Sequence, residues 1–125
     1  MEFKIDTKNT YTIITPVANR LDANLTAGLR QKWEELRQSG RANLIVDMHN
    51  CLEMDNQSLQ GLYEFHTELY SSGESLVFTG LPDKLLRIFK EHEEEIPLNA
   101  APTMAEAVDI VSMEILERDL FDEES

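Results

Sequence analysis

A chain of 125 residues, 42% apolar and 28% charged, has the length of one domain and the composition of an ordinary globular protein. Its formal net charge of −13 opposes direct binding to nucleic acid or anionic membranes and leaves basic protein surfaces as partners. No run is long enough to insert into a membrane, the first residues lack a signal-peptide pattern, and the single cysteine, Cys51, cannot form an internal disulfide. These features predict a cytoplasmic protein.

Phe3-Lys4-Ile5-Asp6-Thr7 alternates apolar and polar residues, Lys8-Asn9-Thr10 reads as a turn, and Tyr11-Thr12-Ile13-Ile14-Thr15 is β-rich. The first fifteen residues therefore predict a hairpin that Pro16 ends. Asn19 is a candidate for positive φ. Asp22 and Asn24 are candidate caps of a first helix with Leu25, Leu29, Trp33 and Leu36 on its apolar face, stopped at Ser39-Gly40.

The central stretch begins with the β-branched run Leu44-Ile45-Val46, passes a polar loop, and enters a second helix. Asp55 or Asn56 caps that helix, whose apolar spacing runs through Leu59, Leu62, Tyr63, His66, Leu69 and Tyr70. Ser71-Ser72-Gly73 ends it, and Ser75-Leu76-Val77-Phe78-Thr79 reads as another buried strand.

Pro82 at the first helical position, with Asp83 inside it, predicts a third helix carrying Leu85, Leu86, Ile88 and Phe89. Ile96-Pro97-Leu98-Asn99 is a candidate edge strand. Thr103-Met104-Ala105-Glu106 has the pattern of a capping box and opens a last helix with Met104, Ala107, Val108, Val111 and Ile115 on one face. Residues 1–118 are expected to form one domain and residues 119–125 a frayed acidic tail. Strands that alternate with helices after an opening hairpin predict an α/β fold, a small mixed β-sheet packed by about four helices.

Catalytic chemistry finds little support. Cys51 and His49 are the candidates for a small enzyme, yet two positions apart at a strand end their side chains need not converge, and a buried thiol beside a surface imidazole suffices. The three histidines, His49, His66 and His92, lack metal-ligand spacing, and Gly61, Gly73 and Gly80 are too isolated to cradle a phosphate. No metal and no cofactor is expected.

Several segments together resemble the STAS domain over nearly the whole chain. Asn19-Arg20-Leu21-Asp22-Ala23-Asn24 is similar to that family's Gly-Glu-Leu-Asp-Ala segment. Ile45-Val46-Asp47 followed by Met54-Asp55-Asn56-Gln57-Ser58-Leu59 resembles its strand and Met-Asp-Ser-Ser-Gly-Leu loop, and Thr103-Met104-Ala105-Glu106-Ala107 its closing helix start. The resemblance implies a non-enzymatic antagonist that binds an anti-sigma factor or related kinase. The family's phosphoacceptor serine falls on Gln57, whose amide accepts no phosphoryl group. Ser58, where the family has glycine, becomes an acceptor only if the loop shifts by one residue. The implied contact surface is Asp22, Asp55, Asn56, Gln57, Ser58, Gln60 and Glu64. A STAS subunit of a lipid-transport ABC complex or of a stressosome-like sensory assembly is the alternative. A homodimer through the hairpin edge is compatible with either.

Overall fold

The computed structural model describes residues 2–40 and 42–124. Strands β1 (Phe3–Thr7) and β2 (Thr12–Pro16) form the opening hairpin, and β3 (Arg20–Leu21) leads into α1 (Ala23–Arg37). Strand β4 (Leu44–Asp47) and the short β5 (Glu53–Met54) precede α2 (Asn56–Ser71). The remainder is β6 (Leu76–Thr79), α3 (Asp83–Glu91), β7 (Ala100–Ala101) and α4 (Met104–Glu124).

Five strands form one sheet in the order β1-β2-β4-β6-β7, antiparallel between β1 and β2 and parallel elsewhere. The predicted mixed sheet with about four helices is the architecture found. Alternation along the strands divides the core in two. Ile14, Leu44, Val46, Leu76 and Phe78 face Leu25, Leu29 and Trp33 of α1, Leu59, Leu62, Phe65 and Leu69 of α2, and Leu85 and Phe89 of α3. Ile45 and Val77 point the other way and meet Ala107 and Val111 of α4. Three helices thus cover one face of the sheet and α4 covers the other. Phe65 belongs to the apolar face of α2 at the spacing Leu62, Phe65, Leu69, beyond the residues expected from sequence; Tyr63, His66 and Tyr70 are only half-buried.

Four local expectations are corrected. Asn19 does not adopt positive φ; among the described residues only Gly40, Gly73 and Gly80 do. Instead the Asn19 carbonyl accepts hydrogen bonds from the Leu52 and Glu53 N–H groups, at 2.8 and 3.1 Å, which fixes the chain as it enters β3. The last sheet strand is Ala100–Ala101 rather than 96–99. Ile96 N–H is spent on His92 O at 2.8 Å and Pro97 has no N–H, so pairing with β6 begins where Phe78 N–H donates to Asn99 O. Pro82 sits one position outside α3, as its N-cap, and Asp83 is the first helical residue. The acidic segment after 118 is helical as far as Glu124. Arg118 helps tie that end down by donating to Ser75 Oγ at 2.8 Å. Ser125 lies outside the described residues.

Candidate functional site

The two short strands missed in the sequence, β3 and β5, pair in parallel as a separate two-stranded sheet, Arg20 beside Glu53 and Leu21 beside Met54. They lie beyond the carboxyl ends of β2 and β4, the end of a parallel sheet where sites gather. Each runs directly into a helix. The pairing therefore sets the N-termini of α1 and α2 side by side.

Asp22 and Asp55 cap those two helices in the same way. Asp22 Oδ1 accepts from Leu25 N–H at 3.0 Å, and Asp55 Oδ1 from Ser58 N–H at 2.9 Å. Each carboxylate satisfies an N–H left without an intrahelical partner and places negative charge at the positive end of its helix. Asn24, the alternative cap considered for α1, is already inside the helix. Ser58 Oγ also donates to Asp55 Oδ1, at 2.6 Å, and Arg20 stands 3.8 Å from Asp55 Oδ2. The Ser58 hydroxyl and N–H, with a smaller contribution from Arg20, hold the Asp55 carboxyl below the usual carboxylate range.

Ser58 itself does not reach the surface expected of it. It is 4% exposed, and its hydroxyl is within hydrogen-bond reach of Leu21 O at 3.1 Å as well as of Asp55. The residue is an internal tie between α2 and β3. Asn56, Gln57, Gln60 and Glu64 are exposed, and Asp22 and Asp55 are half-exposed beside them. A groove of about 230 Å³ runs between the two helices, floored by Ala23, Ala27 and Gly61 and flanked by Arg30, Gln57 and Glu64.

Cys51 and His49 do not form a reactive pair. Burial pushes the Cys51 thiol up to about 11, and no hydrogen bond joins it to an imidazole. His49 Nδ1 lies 2.9 Å from Asp47 Oδ1 on the exposed side of the loop. The described residues hold no cluster of histidine, cysteine and carboxylate side chains suited to a metal ion. No helix among them is long and apolar enough to cross a membrane.

No family model matches this chain, and no curated protein matches it either. Solved structures do. A Thermotoga maritima protein, TM1081, described as a candidate anti-sigma factor antagonist, superposes with a TM-score of 0.71 over 88% of this chain and 94% of its own, at 17% identity. The unphosphorylated anti-sigma factor antagonist SpoIIAA gives 0.67 over 89% and 96%, also at 17% identity. A chain from the molecular architecture of the stressosome gives 0.61 over 87% and 96%, at 12% identity. With the sheet order and the paired helix N-termini in view, the conclusion concerns architecture: this chain has the STAS fold found in anti-sigma factor antagonists.

Proposed function

We propose that the protein is a non-enzymatic, protein-binding regulator of the anti-sigma factor antagonist type. Its docking surface is the paired N-termini of α1 and α2, with Asp22, Asp55, Asn56, Gln57, Gln60 and Glu64 outward and Ser58 supporting them from beneath. The observation that carries the reading is the β3–β5 pairing, which joins two separate polar segments of the chain into one exposed acidic and amide-rich face. Gln57 offers no phosphoacceptor, and the Ser58 hydroxyl is turned inward, so binding is not switched off by phosphorylation at either position.

The test is capture from the native lysate on the immobilised full chain, with partners identified by mass spectrometry. Recovery of a kinase-like anti-sigma factor, lost with Gln57→Arg/Glu64→Lys, is the expected result. These two positions are exposed and cap neither helix, so thermal stability should be unchanged. Equal recovery with the double variant overturns the surface, and a phosphopeptide containing Ser58 overturns the regulatory half. Stressosome or transporter subunits in place of a kinase would make the chain an assembly part, a role that Gln57 also suits.

A further inference from the structure

The proposed docking face uses α1 and α2. Helix α4, alone on the opposite face of the sheet, carries a second feature. A helix covering a sheet is ordinarily apolar inward and polar outward. Helix α4 carries apolar residues on both sides between Val111 and Phe121. Val111 is fully buried against the sheet, while Met113 is 61%, Leu116 58% and Leu120 52% exposed. From Val111 to Met113 the helix turns by about 200°, so Met113 points away from the core, and Leu116 and Leu120 follow it at spacings of three and four. Phe121, 74% exposed, borders the same stripe. It also lines a groove of about 620 Å³ between the ends of α4 and α2, with Tyr70, Gly73 and Glu117.

The charges beside the stripe decide what it fits. Glu106, Asp109 and Glu117 flank it, all exposed and without an ion pair among the described residues. The one cation of α4, Arg118, is turned toward the groove, where it donates to Ser75 and stacks 5.8 Å from the Tyr70 ring. A second copy of this chain would bring acid against acid on two molecules of net charge −13. An anionic lipid surface is repelled for the same reason. A helix with leucine-like residues on one face and lysine or arginine on its flanks satisfies both the apolar stripe and its acidic borders.

We propose that the outward face of α4, centred on Met113, Leu116 and Leu120 with Phe121 at its edge, docks a basic amphipathic helix of a partner protein. This site is separate from the α1–α2 face, so a partner can occupy each at once.

The probe is a synthetic amphipathic peptide of about 18 residues, long enough to sustain a helix in water, with leucines on one face and lysines beside them. Its fluorescence anisotropy is measured against the full-length chain. Binding is expected, weakened about tenfold or more by Leu116→Ser/Leu120→Ser and by added salt, and unchanged by Gln57→Arg/Glu64→Lys. Both leucines are more than half exposed, so the double variant should keep its melting temperature. Equal affinity for a scrambled peptide of the same charge overturns the proposal, because attraction would then be charge alone. Unchanged affinity of the leucine double variant overturns it too. Sedimentation of the free chain as a dimer abolished by that variant would assign the stripe to a second copy. Co-flotation with phosphatidylglycerol vesicles, lost in the variant, would assign it to lipid.

Discussion

Glu74 is a charged residue that the fold buries almost completely, and it organises one corner of the larger core. Its carboxylate accepts from Trp33 Nε1 at 2.8 Å, Ala42 N–H at 3.0 Å and Arg37 Nε at 3.2 Å. It joins α1 to the entries of β4 and β6. Replacing it by alanine leaves the indole and amide donors buried without partners, and should cost on the order of 3 kcal/mol in urea unfolding. A loss below 1 kcal/mol, with the chain still cooperative, would mean that water replaces the carboxylate. Nothing local marked Glu74 in the sequence, since an acid after Gly73 reads as a solvated turn; its partners lie 32 to 41 positions away. Cys51 was legible as a small buried thiol. With burial lifting its ionisation to about 11, it should resist thiol reagents at neutral pH until the chain is unfolded by denaturant. Rapid labelling of the native protein would contradict that.

At the scale of elements, the two aspartate caps separate by experiment. Asp22→Ala removes the side-chain acceptor from Leu25 N–H and should cost about 1 kcal/mol of stability. Asp55 contributes through its charge as well. Its folded ionisation is held below the unfolded value, so its stabilisation is present above the usual carboxylate range and is lost as pH falls through the depressed value. The stability gap between the wild type and Asp55→Asn should therefore close as the solution is acidified. A gap that stays constant into strong acid would place the effect in hydrogen-bond geometry rather than charge. Both caps were legible because each precedes an apolar helical period; the structure chose Asp22 over Asn24 and Asp55 over Asn56. Strands β3 and β5 were not legible. Two residues carry no periodicity, and their pairing joins segments that the sequence separates by an entire helix and strand.

At the scale of the whole molecule, the five-stranded sheet has a core on each face, and the two proposed surfaces lie on opposite sides of it. Leu62 lies in the core under α1 and α2, and Val111 in the core under α4. The losses from Leu62→Ala and Val111→Ala should add within about 0.5 kcal/mol, because the side chains share no packing partners across the sheet. Strong non-additivity in the double variant would show that the sheet transmits strain between its faces. The same division would keep a partner at the proposed α1–α2 surface clear of one docked on α4. Glycine is required at one point where strands meet the loops. Gly80 has φ of 69°, and a side chain there would collide with Asp47, so Gly80→Ala should destabilise the chain and disturb the loop carrying His49.

The sequence by itself determined the hairpin, the alternating strands and helices, the two segments that cap α1 and α2, and the STAS-like pattern. Those properties reside in periods of two and of three to four residues and in short capping signals, which act within a few positions of chain. Only the tertiary structure decided that Ser58 is turned inward, that Glu74 is buried, and that Asp22 and Asp55 belong to one surface. It also decided that Met113, Leu116 and Leu120 remain outside. Burial depends on what a distant segment places opposite a side chain. Periodicity named the inward face of α4, Met104, Ala107, Val108, Val111 and Ile115, but could not say that the apolar residues on its other side would have no element covering them among the described residues.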